Sequence, residues 1–263
     1  MHNQPSEAAD RAHPAGPPAD ALLGMTFQPD IYGKVLDLIP NDPSLRIFDV
    51  GAGQGHFSSL LRARGQIVEA CDFLPDDFRC PDVPFVRSNL NESIPCESDR
   101  YDYVVSIEVI EHLENHFAFM RELIRVTKPG GRIIVTTPNV LGLTSRIRFL
   151  LTGFTDCAHV PIDPYAEDVH LQHINPIGLS ELLFHFERNG AELETLTTNR
   201  FRRSAWPWLV LYPLLAWNIR RQLLKNKLRE HHALHRRHIR WIMTPVSLLG
   251  RITIAVARKQ PAP

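Results

Sequence analysis

An α/β fold, a mainly parallel sheet covered by helices on both faces, is what this sequence predicts, and three observations predict it. Apolar or β-branched runs alternate with stretches of helical spacing through most of the chain. The first run, Ile47, Phe48 and Val50, ends in Gly51-Ala52-Gly53-Gln54-Gly55, and apolar residues at helical spacing follow at Phe57, Leu60 and Leu61. An acid, Asp72, closes the second run, 21 residues after Gly51.

Taken in order, residues 28–39 place Ile31, Val35, Leu38 and Ile39 on one side of a helix that precedes the first strand. Strands are expected over 46–50, 66–71 (QIVEAC), 84–87, 101–107 and 132–137, the last rich in β-branched residues. A helix over 117–126 stops at Lys128-Pro129-Gly130-Gly131, where proline cannot continue it and glycine caps it. A helix over 179–189 and strands over 191–197 and 251–257 (RITIAVA) complete a seven-stranded sheet. Strands alternating with helices put both faces of the sheet under cover. No internal repeat is visible.

The 263 residues suffice for one sizeable core, so the expected organisation is a domain over 23–200 and 250–259 with additions. Residues 1–22, rich in Pro, Ala and charge, read as a disordered arm and lack the basic start and apolar centre of a signal peptide. Cys71, Cys80, Cys96 and Cys157 form no CxxC pair, which points away from a zinc site or disulfide framework and toward a reduced, cytoplasmic compartment. The formal net charge of zero hides an asymmetry. Residues 1–199 carry 15 Lys and Arg against 28 Asp and Glu, whereas residues 200–263 carry 14 against one, Glu230. The C-terminal part therefore either meets an anionic surface or is neutralised by the acidic body.

The glycine turn is where chemistry is expected. Glycines tolerate positive φ and have no Cβ, so another molecule can approach the backbone, and the unpaired N–H groups of the following helix suit an anion. Asp72, at the end of the second strand, can accept hydrogen bonds from the ribose hydroxyls of a nucleoside, or it can be a plain strand-end turn residue. His56 stands where a dinucleotide fingerprint has its third glycine, which weighs against NAD.

DVGAGQG, CDF, YDYVVSIEVIEHL and RVTKPGGRIIVTTPN, in that order, resemble the motifs of class I S-adenosylmethionine-dependent methyltransferases. The similarity spans roughly residues 27–196 and is strongest to the subgroup containing the ubiquinone-biosynthesis O-methyltransferases. It implies a doubly wound, Rossmann-like sheet of seven strands whose last strand runs antiparallel, inserted beside its neighbours. It also implies S-adenosyl-L-methionine as cofactor, with Asp49, Gly51, Gly53 and Gly55 holding its amino-acid end and Asp72 its ribose. Asn89 stands where the family often has an acid near the adenine; its amide oxygen can still accept from the adenine amino group. Ile107 would pack near the base or the sulfur.

Methyl transfer from a sulfonium needs alignment and exclusion of water rather than an enzyme nucleophile. A hydroxyl acceptor must also lose its proton. Glu108, Glu111 and His112 fall at i, i+3 and i+4, on one face if a helix begins there. Three readings stay open: His112 as a general base held by a carboxylate, the trio as half of a site for Mg2+ or another divalent cation, or ordinary acids at a helix start with a surface histidine. ExxEH resembles the metal motif of some ubiquinone-type and RNA 2′-O-methyltransferases, and His173 is then a plausible further ligand. The HxxH pair His170 and His173 is by itself weak support for a metal, and His185, between Phe184 and Phe186, reads as helix packing.

Two insertions depart from a minimal sheet. Residues 140–175 follow the fifth strand, where open α/β sheets build ligand sites, so a lid or substrate wall is expected. Residues 201–249 form a helical C-terminal insertion. It contains WPWLVLYPLLAW over 206–217, too short to span a bilayer and interrupted by Pro207 and Pro213, then a basic helical stretch over 218–240. Terminal tryptophans flanked by Arg202, Arg203, Arg220 and Arg221 suit an element lying in a membrane interface; a helix covering the pocket or a dimer contact is the alternative. The expectation is an O-methyltransferase acting on a small or lipid-linked acceptor, such as a quinone precursor or glycan, at an anionic membrane surface. An RNA 2′-O-methyltransferase using the basic region is the second reading, although no RNA-binding module is recognisable.

Overall fold

The computed structural model describes residues 29–158, 160–165, 172–225 and 232–261. The expected arm over 1–22, His170 and part of the basic stretch lie outside the described residues.

Helix α1 (Pro29–Leu36) leads into β1 (Arg46–Val50), and the glycine turn joins β1 to α2 (His56–Ala63). Strands β2 (Ile67–Asp72), β3 (Phe85–Arg87) and β4 (Tyr101–Ile107) follow, then α3 (His116–Val126), β5 (Thr127–Pro138) and α4 (Leu143–Thr152). Helix α5 (Leu179–Arg188) precedes β6 (Ala191–Thr197). After a 3₁₀ helix over Arg203–Leu211 come α6 (Tyr212–Lys225), α7 (His232–Ile242), α8 (Pro245–Leu249) and finally β7 (Ile252–Lys259).

The seven strands form one sheet in the order β3-β2-β1-β4-β5-β7-β6. The first five pair in parallel, and β7 lies antiparallel between β5 and β6, as the family resemblance implies. Successive side chains of a strand point to opposite faces. In β1, Phe48 and Val50 accordingly join the core made by α3 and α5, while Ile47 joins the core made by α1 and α2. Both cores are closed, as a sheet buried on both faces requires. Between β1 and β4 the order of strands reverses, which opens a crevice at their carboxyl ends.

Two local expectations fail for backbone reasons. The Lys128-Pro129-Gly130-Gly131 segment does not cap α3. The helix ends at Val126, Thr127 is already extended, and the segment is taken into an irregular start of β5 beside a register shift at Tyr101 and Tyr103. Nor does a helix begin at Glu108. That residue has φ +55°, in the left-handed region, and only a single 3₁₀ turn follows over Ile110–His112. Glu108 therefore does not share a helical face with Glu111 and His112.

The C-terminal insertion is anchored at two places. Leu143 of α4, Ala205 of the 3₁₀ helix, and Leu248 and Leu249 of α8 form a third, small apolar cluster. Trp241 and Ile242 of α7 lean on the main core, and Arg237 pairs with Glu187 and Glu192. The apolar run over 206–217 splits where the 3₁₀ helix gives way to α6. Pro213 falls in the first turn of α6, where its missing N–H costs nothing. Among the described residues no helix is long and apolar enough to cross a membrane.

Candidate functional site

A cavity of about 820 Å³ opens at the reversal point, at the carboxyl ends of β1, β2, β4 and β5. Its floor is the glycine turn. Gly51, Gly53 and Gly55 all adopt positive φ, and a Cβ on Gly51 would stand 2.3 Å from Cγ2 of Val109, so the turn and the segment after β4 touch only because Gly51 has no side chain. The amides of Gly51 and Ala52 donate to the carbonyl of Cys71, which ties the turn to β2.

Gly51, Gly53, Asp72, Asn89 and Ile107 line this cavity; Asp49 and Gly55 do not. Asp72 Oδ2 accepts from the Gly53 amide at 2.7 Å and Oδ1 from the Phe73 amide at 2.6 Å. Each oxygen thus keeps a lone pair that these amides do not use. Asn89 Oδ1 accepts from the Asn91 amide at 3.2 Å, and its amide nitrogen donates to Glu92. Asp49 lies buried beneath the turn, with the Ser58 hydroxyl donating to it at 2.6 Å. Burial pushes its carboxyl up to about 7, against the pull of the Ser58 hydrogen bond. Its place is that of a support for the turn. Gly55 begins α2, packed against Phe78 and Cys80.

The other end of the cavity holds the ionisable groups. Glu111, His112 and His173 each present a ligand atom within 4.8 Å of the other two. His112 Nδ1 stands 3.1 Å from the carbonyl of Gln172, and His173 Nδ1 stands 2.6 Å from that of Cys157. A carbonyl can only accept, so each Nδ1 donates, and in the neutral imidazole the lone pair then falls on Nε2. Backbone carbonyls orient metal-ligating imidazoles in this manner. Glu111 is fully buried, and neither of its carboxyl oxygens has a hydrogen-bond partner of good geometry. Burial and the neighbouring Glu108 raise it well above the usual carboxylate range, and the nearby Thr137 hydroxyl offsets this only in part. A buried acid with such weak hydrogen bonding is costly unless a cation or proton compensates it. These three residues thus fit a divalent cation.

Glu108 belongs to the cavity wall but not to that trio. Its amide donates to Thr136 Oγ1 at 2.9 Å, and the Thr136 hydroxyl donates back to its carboxyl at 2.8 Å. A non-glycine residue at positive φ, clamped through both backbone and side chain, is strain retained at a site. Burial raises its carboxyl to about 7, with Thr136 and Arg251 working the other way.

The 140–175 connection supplies wall rather than a described lid: Asp156, Cys157 and His173 line the cavity. Several wall residues escape sequence reasoning. Phe73 and Leu74 directly follow Asp72, and two apolar residues after a strand-end acid were the available signal for a surface that can cover a nucleoside. Tyr32 reaches in from α1; burial, with the negative charge of Asp49 and Glu108, raises its phenol to about 12, so it stays protonated. Arg202 and Arg251 come from the C-terminal insertion and the start of β7, and no local motif marks them. His185, as expected, is a packing residue, its ring 4.5 Å from that of Phe117.

Comparison with known proteins adds to this geometry. A family model described as a methyltransferase domain matches residues 27–196. A Mycolicibacterium smegmatis protein described as a probable S-adenosylmethionine-dependent methyltransferase is 31% identical over 153 residues, 56% of this chain and 52% of that protein. A ubiquinone biosynthesis O-methyltransferase from Rickettsia conorii is 36% identical over 130 residues, 46% of this chain and 44% of that one. The chain thus spans about half the length of the curated relatives it matches. Among solved structures, an S-adenosylmethionine-dependent methyltransferase from Mesorhizobium loti superposes with a TM-score of 0.53 at 15% identity, covering 88% of this chain and 98% of that one. That likeness shows a shared fold.

Proposed function

The chain belongs to the family of S-adenosylmethionine-dependent methyltransferases, and we propose that it transfers the methyl group to a hydroxyl oxygen of a small or lipid-linked acceptor at a membrane surface. One observation carries this reading. A single cavity runs from the glycine turn and Asp72 to His112 and His173, so cofactor and acceptor meet where proton-handling groups converge. In this reading the turn receives the cofactor's amino-acid end, Asp72 takes the ribose hydroxyls, and Phe73, Leu74 and Leu90 cover the base. The acceptor hydroxyl lies toward His112. Displacement at the methyl carbon requires oxygen, carbon and sulfur in line, and two subsites within one cavity suit that alignment.

His112 Nε2 carries a lone pair and can take the proton that the attacking hydroxyl must lose. Glu111, His112 and His173 would together hold a divalent cation, which when bound lowers the pKa of a coordinated hydroxyl. The buried, poorly hydrogen-bonded Glu111 carboxyl favours this second arrangement over the bare base. Tyr32, kept protonated, can only donate or pack.

The membrane part of the reading rests on an exposed apolar surface. Trp206 is 61% exposed and Trp217 56%, and Val210, Leu214, Leu150 and Leu151 are exposed as well. Arg148, Arg203, Arg220 and Arg221 stand among them in sequence, and the Arg221 guanidinium lies 5.4 Å over the Trp217 ring. Apolar side chains interleaved with arginine suit the headgroup region of an anionic bilayer. The basic stretch is less suited to RNA, since Arg237 is already committed to Glu187 and Glu192. Incubation with methyl-labelled cofactor and separate membrane-lipid and RNA fractions tests the assignment. Label is expected in alkali-stable ether linkage in the lipid fraction, and label confined to RNA would overturn it.

A further inference from the structure

Arg200, Arg202, Arg203 and Arg251, with Phe201 and Ser204, line a second concavity of about 480 Å³. Arg202 and Arg251 also line the main cavity, so the two spaces share a wall. The backbone that carries them is fixed. The Arg202 amide donates to the Leu249 carbonyl at 2.8 Å, the Arg251 amide donates to the Arg200 carbonyl at 3.0 Å, and Phe201 bridges to Gly250. A Cβ on Gly250 would stand 2.4 Å from the Val246 carbonyl oxygen and 2.8 Å from Thr198 Oγ1, so this close pairing needs glycine there.

The charges around this concavity do not balance. Buried Asp156 is shared by Arg148 and Arg202, each at 2.9 Å, and Asp30 stands 3.7 Å from Arg251. Among the described residues no carboxylate pairs with Arg200 or Arg203. Burial, and the proximity of Arg251, Arg148 and Arg200, hold Arg202 below the ordinary guanidinium range, with Asp156 opposing them. The four guanidiniums that line the concavity and Arg148 beside it face two carboxylates, an excess of three positive charges that leaves room for an anion of two or three negative charges. A lone carboxylate would satisfy one guanidinium fork, whereas a phosphate or diphosphate offers several oxygens and the larger charge.

We propose that this concavity is a phosphate-binding subsite, and that the acceptor carries a phosphate or diphosphate group beside the portion that enters the main cavity. The inference rests on the reading of a lipid-linked acceptor and narrows it to a phosphorylated one. A bilayer headgroup offers the same chemistry, so the test must separate the two sources.

Titration calorimetry of the full chain with inorganic pyrophosphate, for the natural protein and for an Arg200→Gln, Arg203→Gln variant, is the direct measurement. Binding is expected in the natural protein and at least about tenfold weaker in the variant, with unchanged affinity for S-adenosylmethionine in both. In parallel, sedimentation with phosphatidylglycerol vesicles is expected to stay within about twofold in the variant, because the Trp206 to Trp217 surface is intact. No heat with pyrophosphate, or equal affinity in both proteins, overturns the proposal. So does a variant that loses vesicles while pyrophosphate binding is unaltered, which would assign the arginines to the bilayer. Failure of the natural protein to sediment with vesicles would count against the membrane reading and leave the pyrophosphate result standing.

Discussion

Replacing Asp72 by alanine probes the cofactor pocket most directly. Its two oxygens each accept one backbone amide, from Gly53 at 2.7 Å and Phe73 at 2.6 Å. A carboxylate has about four lone-pair directions, so one remains on each oxygen, enough for the two hydroxyls of a ribose. Hydrogen bonds to a charged acceptor contribute about 1.5–3 kcal/mol each. Taking the lower end for a half-buried site gives about 3 kcal/mol for the pair, or roughly 150-fold in Kd. The fold loses less. The Gly53 amide faces an open cavity where water can replace the carboxylate, so about 1 kcal/mol and a fall of about 2–4 °C in Tm are expected. Titration calorimetry with S-adenosylmethionine reads the first quantity and thermal unfolding the second. Asp72→Asn, which keeps one acceptor oxygen and loses the charge, should fall between, at about tenfold. Affinity for the alanine variant within about threefold of the natural protein would refute the ribose anchor.

Three further outcomes follow from the same structure. In Glu111→Gln a buried, weakly hydrogen-bonded acid is replaced by a permanently neutral amide of the same size, so without divalent cations the variant should melt at or above the natural protein. Saturating Mn2+ should raise the natural protein by about 5–10 °C, corresponding to about 2.7 kcal/mol at a hundredfold excess over Kd, and leave the variant unmoved; equal responses would exclude the metal site. Burial and the neighbouring His116 and Arg121 hold His185 down to about 4 in the folded chain, from 6.5 when unfolded. The unfolded state therefore binds its proton first, and the stability His185 contributes is intact above pH 6.5 and lost as pH falls toward 4. Urea titrations at pH 7 and 4.5 should show a loss of about 2 kcal/mol that His185→Leu removes, and an unchanged pH dependence in the variant would refute this. Trp206→Ala or Trp217→Ala should weaken binding to anionic vesicles at least about thirtyfold, since about 100 Å² of ring area at about 25 cal/mol per Å² is at stake in each; unaltered sedimentation would remove the membrane surface from the reading.

The sheet was legible because its signals are local. The apolar run of β1, the glycines at positive φ and the acid ending β2 each declare themselves within a few positions, and these are the residues at the glycine-turn end of the cavity. The histidine end was only half legible. Glu111, His112 and His173 do converge, but the helical spacing that suggested a shared face for Glu108 was misleading. The chain turns through the left-handed region at Glu108 and gives that carboxylate to Thr136, 28 residues away, a partner no local pattern announces. Asp49 shows a different limit: its motif position implies contact with the cofactor but does not announce Ser58, one helical turn on from the glycines, whose hydroxyl donates to its carboxylate beneath the turn. Arg202 and Arg251 reach the cavity only because β7 is inserted between β5 and β6, a long-range pairing that places the end of the chain beside its middle.

That insertion also decides what the basic C-terminal segment can do. Residues 200–263 carry 14 cationic side chains and one acid, yet the excess is not uniform once folded. Arg237 meets Glu187 and Glu192 on α5 and β6, Arg258 stands near Glu194, and Lys259 donates to Asp99 at 2.6 Å. Exposed pairs of this kind contribute little to stability, about 0–1 kcal/mol each, but they occupy the charge. Arg202 and Arg251 are only partly compensated, and Arg200 and Arg203 lack a carboxylate partner among the described residues. One part of the segment left electropositive is therefore the part that β7 and its bridge at Gly250 bring to the cavity rim. Neutralisation by the acidic body thus describes Arg237, Arg258 and Lys259, whereas attraction of an anion is the proposal for Arg200 and Arg203. The boundary between them falls where the segment leaves the acidic flank of α5 and β6 and reaches the crevice.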